Sequence, residues 1–341
     1  MNPVDKSKLP KRVYANKYSY YYKPTDNVSI TLGPLSMPMS EVWRKYEIEV
    51  NGQSKIMTFS KLWALFLKSQ YYLELAPRTQ DDYLKHEKKL LAVFGKVKAD
   101  LIRPEDVRQF MDQRGLQSKT QANHEKASMS RAYRWGYERG YVKGNPCAGI
   151  SKLKVIPRDY YISDEEYEAV YSFASDRLKV AMEIAYLCAS RAGDVAKAKW
   201  LDELEAGFYI QQGKTGKKQI KAWTQRLRNA LDLAKKAMPP KSRNDYIVVN
   251  TLGERLTIKT LNNWWVDAKQ QASEKLGRPL SFTYHDIKAK GISDYTGSSK
   301  EKQLFSGHKT EQQVLTYDRK IAVTPSLDVP VISEQKNRFV N

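Results

Sequence analysis

From residue 57 onward, apolar residues recur at helical spacing, broken by residues that start or stop helices, while alternating stretches are short and few. That pattern confines most of the chain to packed helices with small sheets attached. At 341 residues the chain is also too long for one comfortable core, so two or three domains are expected. Thr58 to Leu75 carries Leu62, Leu65 and Phe66 on one helical face. Pro77-Arg78-Thr79 opens a second helix that runs through Leu90 and Leu91 and ends near Gly95. Pro104 fits the first turn of a third, where its missing N–H costs nothing, and a fourth is expected from about Lys119 to Arg139, ending at Gly140.

The first 56 residues read differently. Val13 to Tyr22 is dense in tyrosine, Pro24-Thr25-Asp26-Asn27 is a turn signal, and Val28 to Leu32 alternates apolar with polar. Tyr46 to Val50 alternates again and stops at Asn51-Gly52. A small β module with strands at both places is expected. A basic linker, Ser151 to Arg158, precedes a capping box at Ser163-Asp164-Glu165-Glu166, which marks the start of a further helical domain. A helix from Arg177 to about Leu187 follows, then short strands at Phe208–Gln211 and Gln219–Trp223 around a lysine-rich tip (QGKTGKK), and a strand at Tyr246 to Asn250. The expected fold class is multidomain α+β: a small β module at 1–56, a helical domain at 57–150, and a mainly α domain with a small hairpin or sheet at 151–341.

Charge narrows the class of partner. Lysine and arginine number 58 against 38 acidic residues, a net charge of +20. The excess is +4 over residues 1–56, +9 over 57–155 and +7 over the remainder. A spread of this kind fits several domains touching one long polyanion, nucleic acid before an anionic membrane, rather than a single basic tether. Cys147 and Cys188 form no metal-binding pattern and fit a reducing compartment. Met1 to Arg12 lacks the apolar core of a secretory signal, and the longest apolar run, Val180 to Ala189, contains Glu183 and falls well short of the roughly 20 residues that span a bilayer. A soluble intracellular protein is expected.

Four stretches of the last domain hold residues suited to phosphate chemistry. They are Ser190-Arg191-Ala192-Gly193-Asp194 after the apolar helix, Gly213-Lys214-Thr215-Gly216 at the hairpin tip, His285-Asp286-Ile287-Lys288, and Ser306-Gly307-His308 followed nine residues later by Tyr317. Each alone has an ordinary reading. Arg191 and Asp194 make a surface pair, Lys214 is a solvated lysine, His285 and Lys288 line a helix, His308 caps one, and Tyr317 is one of 22 tyrosines. Their joint occurrence in this order is the informative fact.

The set resembles the tyrosine recombinases, or phage integrase family, with an arginine after an apolar helix, a lysine in a β-hairpin, a His-x-x-Arg box, a Gly-His pair and a tyrosine about nine residues beyond. The matching positions are Arg191, Lys214, His285 with Lys288, His308 and Tyr317, and Asp194 matches an acidic residue commonly found three after the arginine. The resemblance implies that Tyr317 attacks a DNA phosphate and forms a 3′-phosphotyrosyl ester, with neither metal nor other cofactor nor ATP. It further implies that residues 57–150 form a core-site binding domain and that residues 1–56 resemble the arm-site module of lambda-type integrases. A homotetramer would act on double-stranded attachment-site DNA in a bacterial host cytoplasm, at the nucleoid, with a host DNA-bending factor and an excision factor as partners. Candidate DNA contacts are Lys11, Arg12 and Lys17 in the first module, and Arg78, Thr79, Lys119, Lys126, Arg131 and Arg134 in the second. The apolar tail Ile321 to Ile332 would dock on a neighbouring subunit. One position departs from the pattern: Lys288 stands where arginine is usual, keeping the charge and losing the two-pronged grip on phosphate. That departure leaves as an alternative a DNA-binding architectural or regulatory protein on the same fold with weak catalysis, and a single-strand-nicking topoisomerase, which shares this chemistry, is a further alternative.

Overall fold

The structure, a computed structural model, describes residues 8–239 and 245–321 together with Thr324 and Leu327, and the backbone but not the side chains of 51–55. The chain divides into two compact units, Met1–Ile156 and Pro157–Asn341.

The first unit opens with strands β1 (Val13–Ala15), β2 (Ser19–Thr25) and β3 (Val28–Pro34), paired antiparallel in chain order. The Asn16 side chain accepts the N–H groups of Tyr18 and Ser19, each at 2.8 Å, and so makes the first turn. Asp26-Asn27 makes the second, with Thr25 opposite Val28. Helix α1 (Met39–Lys55) covers the sheet, and this corrects the strand expected at Tyr46 to Val50. Met39, Val42 and Tyr46 recur at helical spacing and join Val13, Tyr20 and Leu32 in one small core. Ile48, which the alternating pattern would bury, is 55% exposed. Packing of the 39/42/46 stripe outweighs a local alternation.

Helices α2 (Phe59–Leu67), α3 (Gln70–Leu73), α4 (Pro77–Phe94) and α5 (Pro104–Tyr137) complete this unit. The single helix expected over 58–75 breaks at Ser69, whose hydroxyl donates to the Phe66 carbonyl at 2.6 Å and accepts the Tyr72 N–H at 3.2 Å. A serine that bonds both ways to the backbone offers an alternative to helix continuation. The third and fourth expected helices are one span interrupted only at Ser118 (φ −161°, ψ 104°), whose side chain then accepts from the Gln121 N–H. Phe59, Leu62, Trp63, Phe66, Leu90, Met111, Met129 and Tyr133 fill the core.

The second unit contains α6 (Asp164–Phe173), α7 (Asp176–Leu187), α8 (Ala192–Val195), β4 (Glu203–Leu204), β5 (Gly207–Gln211), β6 (Lys218–Lys221), α9 (Gln225–Ala237), α10 (Ile258–Leu276), α11 (Asp286–Asp294), α12 (Ser299–Ser306) and α13 (Glu311–Leu315). The Ser163 box forms as expected, with reciprocal side-chain bonds to Glu166. Strands β4, β5 and β6 make an antiparallel sheet. The strand expected at Tyr246 to Asn250 is instead two isolated bridges, Tyr246 to Lys199 and Val249 to Arg255. Ile247 and Val248 bury their side chains in the main core without a ladder. Helix α7 is buried through Leu178, Val180, Ala181, Met182, Ile184 and Ala185. Its one central charge, Glu183, is satisfied by the Tyr167 hydroxyl at 2.9 Å and by Arg226. Among the described residues, no helix is long and apolar enough to cross a membrane.

Gly291 on α11 sets the distance between α11 and α7. A Cβ there would lie 2.2 Å from the Tyr186 carbonyl oxygen, a backbone atom that cannot step aside. Gly291→Ala is therefore expected to lower stability by about 1–3 kcal/mol, read as a shift of the urea midpoint. An unchanged midpoint would refute the backbone-to-backbone contact.

Candidate active site

Five of the six expected residues of the second unit, Arg191, His285, Lys288, His308 and Tyr317, converge on one site. After α7 the chain turns at Ala189, a non-glycine residue at φ 50°, a conformation held only when its surroundings demand it. Its carbonyl accepts the Lys288 ammonium. Arg191 follows and caps α8, where the Asp194 carboxylate accepts the Arg191 backbone N–H at 3.3 Å and the Gly213 N–H at 2.8 Å. Asp194 thus ties the arginine turn to the β5–β6 hairpin. The Arg191 guanidinium donates to Gln212 Oε1 at 2.9 Å.

Helix α11 brings His285 to its N-cap and Lys288 one turn on. Lys288 is 1% exposed. Helix α12 ends at Gly307, in the left-handed conformation at φ 68° that glycine tolerates, and this turn delivers His308. The His308 ring stacks on Tyr317 with centroids 4.8 Å apart and planes at 29°. His285 meets the same ring edgewise at 6.0 Å, and Lys288 Nζ lies 5.9 Å from its centroid. Tyr317 is therefore surrounded by three of the residues expected to serve it.

The tyrosine segment is fixed independently of its ring. Ser293 Oγ donates to the Tyr317 carbonyl at 3.0 Å and accepts the Arg319 N–H at 2.7 Å. Arg319 donates to Asp286 at 2.6 Å, with both side chains buried, and Lys302 pairs with Asp318 at 2.7 Å. The Tyr317 hydroxyl has no hydrogen-bond partner among the described residues.

Electrostatics follows from the burial. Desolvation, reinforced by the nearby Arg191 and Lys221 cations and opposed by Asp194, lowers the Lys288 pKa to about 7. His308 falls to about 4 through desolvation, Lys288 and Arg191, so it is neutral at pH 7. Its Nδ1 lies 2.7 Å from Ser306 Oγ, and its buried Nε2 has no partner among the described residues. Donation from Ser306 to Nδ1 would leave a proton on Nε2 for an incoming acceptor. His285 is lowered by desolvation and by Arg191, Lys288 and Arg319, against the pull of Asp286. An anion entering here would meet the Arg191 cation, a Lys288 amine that it would help to protonate, and a neutral donor.

Lys214 is not part of this cluster. It stands exposed on the hairpin turn, with no side-chain partner among the described residues. Sequence reasoning missed Gln212, Asp286 and Arg319. The Asp286–Arg319 pair joins residues 33 apart in the chain, which no local spacing reveals. Among the described residues, no three His, Cys, Asp or Glu side chains gather as a metal site.

The candidate DNA contacts lie in the first unit. Lys11 is exposed; Arg12, at φ 63°, donates to the Pro24 carbonyl at 2.6 Å; and Lys17 sits over the Tyr18 ring. Arg78 is exposed beside Asp82, Thr79 is half-buried in the first turn of α4, and Lys119 is exposed just beyond the Ser118 break. Lys126, Arg131 and Arg134 line one depression of about 520 Å³ with Tyr71 and Trp135. Lys126 also donates to the Ile150 carbonyl at 2.9 Å, and Arg134 pairs with Glu138. Most of the tail Ile321 to Ile332 lies outside the described residues.

Residues 161–320, which contain all six candidate catalytic residues, match the model of the phage integrase family. The second unit is a phage integrase family domain. The chain is 26% identical over 206 residues to an integrase of Enterobacteria phage 434 and 25% identical over 209 residues to one of Escherichia phage lambda. It spans little more than half the length of these relatives, 56% in each case. A lambda integrase dimer bound to a COC′ core site superposes with a TM-score of 0.69 at 20% identity, over 94% of this chain and 99% of that one. A lambda integrase tetramer bound to a Holliday junction gives 0.66 at 19%, over 89% and 97%. The integrase-family fold therefore extends over the multidomain architecture of the chain.

Proposed function

We propose that this protein is a site-specific DNA recombinase of phage or prophage origin that cleaves and rejoins DNA through a 3′-phosphotyrosyl ester on Tyr317. The observation that carries the reading is the Tyr317 ring held among His308, His285 and Lys288, with Arg191 acting on the same group. A phosphodiester repels nucleophiles, and in-line attack adds charge to its non-bridging oxygens. Fixed cations at Arg191 and Lys288 stabilise that charge more in the transition state than in the ground state. An incoming phosphate would also hold the Lys288 proton that burial weakens. His308 offers its unpartnered Nε2 to a non-bridging oxygen. The phenol gives its proton to His285 or to water as the tyrosyl O–P bond forms and the P–O5′ bond breaks. Lys214 supplies the proton that the departing 5′-oxygen requires. Attack by a 5′-hydroxyl on the ester reverses these transfers and joins a new strand.

In this reading residues 57–150 grip the core site, residues 1–56 bind arm sites, and the basic candidates named above meet phosphates. The relatives' DNA-bound dimer and junction-bound tetramer support double-stranded DNA as substrate and a homotetramer as the working form. A DNA-bending host factor and an excision factor complete the proposed partners. The test uses a duplex selected by the protein from a randomised pool, nicked beside the bound site so that the cleaved end diffuses away. A covalent adduct is expected, and peptide mapping should place the DNA on Tyr317. Salt-sensitive binding without adduct would overturn the reading in favour of an architectural protein. Relaxation of plasmids lacking the selected site would favour a topoisomerase.

A further inference from the structure

Lys221 belongs to none of the features used so far, yet it is buried and has no carboxylate partner among the described residues. It lies in β6 opposite Phe208 of β5, at an inward strand position where an apolar residue is the ordinary choice. Its ammonium reaches over the Phe305 ring, 4.7 Å from the centroid, and donates to the Phe305 carbonyl. Two neighbours on the same hairpin do the same on either side. Gln219 Nε2 donates to the Leu304 carbonyl at 2.6 Å, and Gln212 Nε2 donates to the Ser306 carbonyl at 2.8 Å. Three hairpin side chains thus take three consecutive carbonyls at the end of α12. These are carbonyls the helix cannot satisfy itself, and a cation is favoured at that end of a helix dipole.

The next two residues are Gly307 and His308. A Cβ on Gly307 would stand 2.5 Å from Gln212 Nε2 and 2.6 Å from Gln219 Oε1, so the hairpin presses directly on the turn that delivers His308. The same Gln212 accepts the Arg191 guanidinium and the Thr215 hydroxyl, next in sequence to Lys214. Burial lowers the Lys221 pKa to about 8, and a fold that keeps such a cation inside bears a cost that needs an offsetting role.

We infer that Lys221, with Gln219 and Gln212, is a positioning residue that clasps the Lys214 hairpin to the end of α12, so that the leaving-group proton donor is held in register with the His308 turn. This rests on the reading of Lys214 as the acid. Displacing the hairpin would impair protonation of the 5′-oxygen and spare the attack by Tyr317.

The test exploits the leaving group. A substrate with sulfur in place of the bridging 5′-oxygen expels a thiolate, which needs no proton. On the ordinary selected duplex, Lys221→Met is expected to slow single-turnover cleavage about tenfold or more, part of the roughly 10²–10⁴-fold that a positioned proton donor contributes. On the sulfur substrate the loss should be under about threefold, because the acid is no longer required. Lys214→Ala is the control. If sulfur rescues Lys214→Ala and not Lys221→Met, the clasp is wrong and the acid assignment stands. If sulfur fails to rescue Lys214→Ala, the acid assignment falls and the clasp falls with it. Equal slowing of both substrates by Lys221→Met, or no slowing of either, also overturns the clasp. Should Lys221→Met fail to fold, the half-buried Gln219→Leu carries the same comparison and the same outcomes.

Discussion

Tyr317→Phe is expected to abolish the covalent adduct, a loss of at least about 10⁴-fold in cleavage, while leaving DNA affinity within about threefold. The asymmetry follows from what the hydroxyl does in the DNA-free protein. It makes no hydrogen bond to any described residue, so its removal leaves no buried donor or acceptor orphaned. The ring keeps its contacts with His308 and His285, and the segment keeps its backbone ties to Val314 and Ser293. Stability should therefore change by no more than about 0.5 kcal/mol. Gel-shift titration, thermal melting and the nicked-duplex assay read the three quantities separately. An adduct persisting in Tyr317→Phe would move the nucleophile elsewhere and dissolve the proposed mechanism. A large drop in affinity would instead assign the hydroxyl to DNA binding.

The legible parts of this chain are those governed by neighbours in sequence. The Ser163 capping box, the hairpin around Gly213-Lys214, and Pro77 and Pro104 in the first turns of α4 and α5 all rest on contacts within a few positions. The candidate catalytic residues could be picked out because several weak signals recur in a fixed order, which singles out Tyr317 among many tyrosines. Where the reading failed, a distant partner decided. Tyr46 to Val50 alternates like a strand, but Val42 and Tyr46 pack on the sheet as a helix. Tyr246 to Asn250 has strand composition but pairs only through two isolated bridges.

Burial was the least legible quantity. The sequence puts Lys288 in the candidate catalytic set and Lys221 in a short strand, but only the tertiary structure shows that both are buried. The Asp286–Arg319 pair, which anchors the tyrosine segment to the helix that carries Lys288, likewise needs two stretches folded together.

Lys288→Met is expected to reduce cleavage by about 10²–10³-fold, the range lost when one preorganised charge-stabilising group is removed, and to change how the DNA-free protein responds to pH. The folded-state pKa of Lys288 is about 7, below its ordinary 10.5. Between those values the unfolded chain holds a proton that the folded chain has released. Stability therefore climbs as pH rises from about 7 toward 10.5; below that window the full cost of the buried ammonium is present, and above it neither state carries the charge. The climb is on the order of a few kcal/mol at most, and Lys221 adds a smaller one from about 8. Lys288→Met should reduce the rise of the melting temperature between about pH 7 and 9, below the range in which the buried Cys147 and Cys188 thiols, pushed up to about 12, begin to oppose it. DNA acts in the opposite direction, because a phosphate beside Lys288 favours the ammonium. Binding at pH 8 should then take up close to one proton, measured by calorimetry in buffers of different ionisation enthalpy. Lys288→Arg keeps the charge but has no proton to lose, so it should bind without that uptake. An uptake unchanged in Lys288→Arg would show that the proton goes elsewhere and that Lys288 does not meet the phosphate.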